Sequence, residues 1–274
     1  HEYLGHFTWT AGQALVADAY GAGRVLLAGD AVHLFTPQGG FGMNTGMDDA
    51  ANLAWKLAAV LQGWGGPGLL PSYEAERRPI ARRNTAAAQG TARHIGDIPV
   101  DETLLAPGPE GEAARRRAGA AFGALTEEFA SLGIQLGARY DLSPVIAAES
   151  AAPPPDDPAI YTPTSLPGGR CPHLWLTPGE VSLFDRCGRF FTLLCLGPEA
   201  AAAPLAAAAR AAGIPLTLLP LDHPAAPALF ERRLVLVRPD LHIAWRGDAP
   251  PADPAALLAR LTGWSTHAPP EPRP

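Results

Sequence analysis

Lysine is nearly absent from this chain: of its 21 basic residues only Lys56 is a lysine, and arginine supplies the rest. Cysteine is scarce as well. Cys171, Cys187 and Cys195 form neither a C-x-x-C pair nor a zinc-ligand spacing. That excludes a disulfide framework and a zinc module, and it fits a reducing cytoplasm. No apolar run is long enough to cross a bilayer, since the alanine-rich stretch 200–212 is broken by Pro204 and Arg210. The start, His1-Glu2-Tyr3-Leu4, has no basic segment, no apolar core and no initiator methionine. No signal peptide is read there, and the chain is expected to be part of something longer. Positive charge is not in excess either. A formal net charge of −6 argues against nonspecific nucleic-acid binding, whose affinity comes from neutralising phosphates.

What is present describes a globular protein: 274 residues, 47% hydrophobic and 18% charged, enough for one large domain or two small ones. The 30 prolines are unevenly spread and divide it. The run Pro153-Pro154-Pro155 with Pro158, Pro163 and Pro167 cannot form helix or central strand. Residues 141–168 therefore read as an extended linker between a body at 1–140 and another at 169–266, with a frayed tail at 267–274.

In the first body, residues 24–28 read as a buried strand ended by Gly29-Asp30, and a glycine-rich loop follows from Pro37 to Asn44. Residues 45–61 read as a helix with Ala50, Leu53, Ala54, Leu57, Ala58 and Leu61 on its core face. Asp48 and Asp49 fall in its first turns, suiting the helix dipole. Further helices are expected from Pro71 and over 112–136. The second body reads as a strand at 190–196, a helix at 200–212, a strand at 216–219, a hairpin over 234–247 and a helix at 254–261. That βαβ–hairpin–α order is the thioredoxin arrangement.

The chemistry sits in 29–46. A carboxylate, Asp30, follows a strand, where open α/β sheets bind ligands. Glycines then let the backbone approach a flat ligand, and the loop ends at a helix N-terminus whose free N–H groups favour negative charge. A polyol chain for Asp30 and a ring that turns anionic near Met43 and Asn44 describe reduced flavin. The competing reading is an aspartate capping a turn, with glycines serving a tight connection.

The stretch Gly29-Asp30-Ala31-Val32-His33, Pro37, Gly39-Gly40, Gly42-Met43-Asn44 and Gly46 resembles the second flavin-binding motif of the class A flavoprotein aromatic hydroxylases, the para-hydroxybenzoate hydroxylase family. The likeness continues through Asp49-Ala50, Asn52-Leu53, Trp55-Lys56-Leu57 and Ser72-Tyr73-Glu74-Ala75-Glu76-Arg77-Arg78-Pro79. Residues 236–247, with Arg238-Pro239-Asp240-Leu241-His242, resemble the thioredoxin-like appendage of the phenol-hydroxylase branch. The fold class so implied is α/β, part of a FAD-binding Rossmann-like domain followed by a thioredoxin-like α/β domain.

By this resemblance the cofactor is FAD and the co-substrate NAD(P)H, with one oxygen atom of O₂ passing to a phenolic or polyketide-type aromatic substrate. Asp30 would hold the ribityl chain, and Pro37 would border the isoalloxazine. Gly39, Gly40 and Gly42 would permit close approach, and Met43 and Asn44 would offer N–H groups to the ring. No residue is assigned as a catalytic acid or base, His33 included. Trp55 and Lys56 are expected to serve helix packing and a surface ion pair. Tyr73, Glu74 and Arg77 are expected to tie the second helix to the first. The 238–247 stretch is assigned a packing or dimer-contact role.

The chain departs from the family pattern at Gln13 and Gln38, and no G-x-G-x-x-G fingerprint for the ADP part of FAD is read between a strand and a helix, since Gly21-Ala22-Gly23 precedes a strand. Its expected partners are the missing N-terminal half of the enzyme, a small aromatic substrate and a second copy in a homodimer, with neither nucleic acid nor membrane. Two other functions remain open. One is a non-catalytic structural or dimerising module; the other is a flavin oxygenase carrying out Baeyer–Villiger or decarboxylating oxidation.

Overall fold

A computed structural model describes residues 5–6, 14–123 and 130–265. The chain is a mixed helix–strand α/β protein that divides into two compact units, 1–46 with 81–131 and 47–80 with 132–274. This grouping differs from the expected 1–140, 141–168 and 169–266. Residues 47–80 group with the C-terminal sheet, for reasons given below.

In the first unit, β1 (Leu15–Val16) pairs antiparallel with β4 (His33–Leu34), and β2 (Gly21–Ala22) with β3 (Val25–Leu26). Each strand is two residues long, and among the described residues this unit holds no parallel sheet. The buried strand expected at 24–28 shrinks to β3, with Val25 64% exposed. An apolar run alone cannot decide burial; covering neighbours do. Helix α1 (Phe41–Leu61) begins four residues before its expected start, and α2 (Pro71–Gly96) follows. In place of the helix expected at 112–136, α3 spans Pro109–Gly123 and α4 spans Leu132–Leu136; residues 124–129 lie outside the described set.

The second unit is built on a four-stranded sheet: β7 (Phe191–Cys195), β8 (Leu216–Pro220), β9 (Leu234–Val237) and β10 (Ile243–Gly247), after a small hairpin of β5 (Trp175–Thr177) and β6 (Val181–Ser182). The order across the sheet is β10-β9-β7-β8, with β7 parallel to β8 and the other pairs antiparallel. Every residue of β7 and β9 is buried. Central strands covered on both faces need such unbroken apolar sequence. On one face Phe191, Leu193, Leu236 and Ala244 pack with α5 (Ala203–Ala211), α7 (Pro254–Leu261) and, from 47–80, Trp55, Ala59, Trp64 and Leu69. On the other, Leu194, Val235 and Ile243 meet Leu174, Leu183 and Phe230, the last from α6 (Ala226–Phe230).

The stretch 141–168 has no helix or strand, as its prolines require, but its ends are not free. Val145 and Ile146 are buried, Ala147 N–H donates to Ala244 O at 2.9 Å, and Gly168 N–H donates to Ile243 O at 2.8 Å.

Helix α1 presents an unexpected face. Thr45, Asp49, Asn52, Lys56 and Ala59 are buried at i, i+4, i+7 spacing. Ala50 and Ala54 are exposed, Leu53, Leu57 and Ala58 half-buried, and Leu61 is 84% exposed. The side expected to face the core therefore faces outward, because the polar stripe finds its partners inside.

Candidate functional site

The expected flavin segment folds as a single 3₁₀ turn (Gly29–Ala31), a second one (Gln38–Gly40), and then α1. Gly29 has φ +61°, a left-handed conformation that glycine adopts without strain. A Cβ on Gly46 would lie 3.2 Å from the Gly29 Cα. Two glycines thus allow the turn bearing Asp30 to lie directly against the second turn of α1.

The Asp30 carboxylate is exposed and has no hydrogen bond or ion pair among the described residues. Pro37 leads into the second turn, where Gly40 N–H donates to Pro37 O at 3.2 Å. Gly39 and Gly40 have φ +74° and +65°; a Cβ on Gly40 would meet nothing within 4 Å, so this backbone borders open space. Gly42 stands beside Phe35.

In the first turn of α1, Phe41 is buried, Met43 is 73% exposed, and exposed Asn44 donates from Nδ2 to Gly40 O at 2.8 Å. Because the helix starts at Phe41, Asp48 and Asp49 lie beyond its first turn, which carries no acid. No acidic side chain in that turn offsets the N-terminal partial positive charge. Thr45 anchors the next turn, its Oγ1 accepting from Asn84 Nδ2 at 3.0 Å. Thr36 Oγ1 and Gln38 Oε1 are buried without a hydrogen-bond partner among the described residues. His33 is buried, edge-on to Phe35. All seven expected contact residues, Asp30, Pro37, Gly39, Gly40, Gly42, Met43 and Asn44, thus fall on two turns and one helix start.

A second constellation lies wholly within the other unit and joins three stretches already singled out. The Glu76 carboxylate accepts from Lys56 Nζ at 2.6 Å, Asn52 Nδ2 at 2.7 Å and Ser143 Oγ at 2.5 Å. It also accepts from both terminal nitrogens of Arg238, at 2.7 and 2.8 Å. Asp240 accepts from Arg238 at 2.7 and 3.0 Å and from Asn52 at 2.9 Å. Beside them Arg77 donates to Asp49 at 2.7 Å and to the Tyr140 hydroxyl at 3.1 Å, tying α2 to α1 as expected. Glu74 pairs with Arg78 of its own helix at 2.9 Å. The Arg238 guanidinium lies between the rings of Trp55 and Tyr140, 5.1 and 5.2 Å from their centroids.

Lys56 and Glu76 are fully buried, so the surface ion pair expected of Lys56 is instead an interior one. Arg238 is fully buried too, which removes it from any dimer surface. Burial lowers the Lys56 pKa to about 8 against the pull of Glu76. Burial alone would raise Glu76, but Arg238 and Lys56 hold its carboxyl well below the usual range. Burial likewise pulls His242 down. One signal in the sequence pointed here: Ser72, Tyr73, Glu76, Arg77 and Ile80 share one face of α2, so two charges stand on its core stripe.

Two family models match the chain: a FAD binding domain over residues 3–88 and an aromatic-ring hydroxylase C-terminal domain over 164–268. The chain belongs to the FAD-dependent aromatic-ring hydroxylases. Of the curated relatives, the FAD-dependent monooxygenase apdD of Emericella nidulans is 35% identical over 97% of this chain and 45% of its own length. A putative polyketide hydroxylase of Streptomyces halstedii is 37% identical over 91% of this chain and 45% of its own. The solved structure of the rebeccamycin biosynthetic enzyme RebC with reduced flavin superposes with a TM-score of 0.83. It is 42% identical, with 92% of this chain and 47% of that one covered. The chain spans about half the length of the curated relatives it matches.

Proposed function

We propose that this chain supplies the isoalloxazine and ribityl side of the FAD site in an NAD(P)H- and O₂-dependent monooxygenase of phenolic or polyketide-type aromatics. The observation that carries the reading is the pairing of an exposed Asp30, without a hydrogen bond or ion pair among the described residues, with an acid-free helix start, brought together by the Gly29–Gly46 contact. When bound, FAD supplies the redox chemistry: hydride acceptance from NAD(P)H and transfer of one oxygen atom from O₂ to the ring.

The residues present fit that group. Asp30 accepts hydrogen bonds from the ribityl hydroxyls. Pro37 borders the ring, and Gly39, Gly40 and Gly42 keep side chains out of its way. The N–H groups of Met43 and Asn44 stabilise negative charge on the ring edge, a preorganised electrostatic role. The buried acceptors Thr36 Oγ1 and Gln38 Oε1 lie in the same loop and suit donors on a bound ligand. The one G-x-G-x-x-G in the chain, Gly63 to Gly68, follows helix α1 and not a strand, so the pyrophosphate grip comes from the remainder of the enzyme.

The C-terminal body is thioredoxin-like in our reading, supported by the order β10-β9-β7-β8 around a parallel β7–β8 pair. It has no C-x-x-C and takes no part in thiol exchange. We place the enzyme in the cytoplasm, a reading supported by three cysteines that stand outside any disulfide. Among the described residues no helix is long and apolar enough to cross a membrane.

Asp30→Ala in the complete enzyme tests the site. Loss of a charge-assisted hydrogen bond is worth about 1.5–3 kcal/mol, so the Kd for FAD should rise roughly 10- to 100-fold while the circular dichroism stays unchanged. Flavin held as tightly as in the parent would sink the assignment. Absence of flavin absorbance from the complete protein would favour a structural module, and the products formed would separate hydroxylation from Baeyer–Villiger or decarboxylating oxidation.

A further inference from the structure

The face that α1 buries carries its polar side chains alongside Trp55 and Ala59. Asp49, Asn52 and Lys56 point inward, while Ala50, Leu53, Ala54, Leu57 and Leu61 lie about a third of a turn round the helix at 100° per residue, half-buried or exposed. Apolar burial alone would not select this rotation, because leucines stand on the side turned away. Something must hold the helix as it is.

We propose that the Glu76 cluster is a latch that sets the rotation of α1 against the C-terminal sheet, so that residues 47–80 and 132–265 close as one cooperative unit. Glu76 takes five hydrogen bonds from Asn52 and Lys56 of α1, Ser143 of the 140s loop and Arg238 at the end of β9. The six charges with covered side chains balance, Asp49, Glu76 and Asp240 against Lys56, Arg77 and Arg238, so the latch closes without net charge of its own. Apolar contacts tolerate sliding, whereas a buried ion left without its partner is costly; interior ion pairs therefore specify register better than they add stability.

Two further observations couple the same segments. Trp55, Ala59, Trp64 and Leu69 complete one face of the sheet's core. The loop after α1 also runs backbone to backbone along the end of α7, with Gly66 N–H to Thr262 O at 2.8 Å and Gly68 N–H to Gly263 O at 2.9 Å. Trp264 Nε1 closes that seam on Trp64 O at 3.0 Å.

Because Lys56 is the chain's only lysine, its side chain reports on the latch by itself. Acylation of the native chain by an N-hydroxysuccinimide ester, read by peptide mass mapping, should leave Lys56 unmodified. In rising urea its labelling should appear together with loss of the sheet's circular dichroism. Arg238→Met should raise the labelling rate at least tenfold under native conditions, and Ser143→Ala, which removes one bond to Glu76, should raise it less. Ready labelling in the native wild type, or labelling in urea well before the sheet melts, would overturn the proposal. So would a folded Arg238→Met chain whose Lys56 stays inert. Should Arg238→Met fail to fold, the urea series on the wild type decides alone.

Discussion

Glu76→Gln changes one atom of the side chain and removes one charge from the interior. The geometry fixes the size of the effect. Both carboxylate oxygens are occupied: one accepts from Arg238 and Ser143, the other from Arg238, Lys56 and Asn52. Whichever position the glutamine NH₂ takes, it faces at least two donors and cannot accept from them. Lys56 and Arg238 are then left with Asp240 as the nearby counter-charge. Breaking a buried ion pair by removing one partner costs about 3–5 kcal/mol. For a unit of this size, each kcal/mol lowers Tm by about 2–4 °C, so a fall of roughly 6–20 °C is expected by calorimetry at pH 7. Glu74→Gln, two residues earlier and paired with Arg78 along its own helix, is the control; a half-buried i,i+4 pair of that kind is worth about 0.5 kcal/mol. If Glu76→Gln melts no lower than Glu74→Gln, the cluster carries none of the role assigned to it.

Two more perturbations probe neighbouring features. Gly263 has φ +78°, and a Cβ there would run into the Leu69 backbone; Gly263→Ala should cost about 2–4 kcal/mol. Gly213→Ala, at φ +66° with nothing within 4 Å, should cost only about 1–2 kcal/mol. Lys56 sheds its proton near pH 8 when folded but at its ordinary, higher pKa when unfolded, so between those values the unfolded chain binds more protons. Wild-type stability should therefore rise with pH from about 8 to 10.5 relative to Lys56→Met, by roughly 3 kcal/mol at most, as read from urea melts. Parallel pH profiles would show that the burial of Lys56 is not felt as a proton equilibrium.

Elements whose sequence and surroundings agree were legible. The runs that became β7 and β9 are apolar throughout because both faces are covered, and their expected and observed limits differ by only a few residues at either end. Helix α7 carried its own boundaries, Asp253 capping Ala256 N–H and Pro254 in the first turn, and its limits matched the expectation. The start of α1 was placed late because Gly42 and Asn44 are poor helix formers. A tertiary anchor at Phe41 and Thr45 outweighs the roughly 1 kcal/mol that such residues cost.

The glycine loop could be found since its residues lie within eighteen positions of one another. The latch could not. Its partners stand 20, 67 and 162 residues apart, and no local window distinguishes a lysine bound for the interior from one at the surface. Only the charges on the core stripe of α2 gave it away, and reading them requires the helix face to be known first.

The shared sheet face bears on how members of this family can be recombined. A chimera joined at the proline-rich stretch would look natural by sequence, since 141–168 has no helix or strand to disrupt. It would nevertheless take Asn52, Lys56 and Glu76 from one parent and Arg238 and Asp240 from the other, along with opposite halves of one apolar core. Productive crossovers should fall elsewhere, within α1 just before Met47 and again between Ile80 and Leu132, so that donor segments 47–80 and 132–265 are transplanted as a pair. Breeding experiments on these enzymes thus have a built-in linkage group that is discontinuous along the gene and continuous in space.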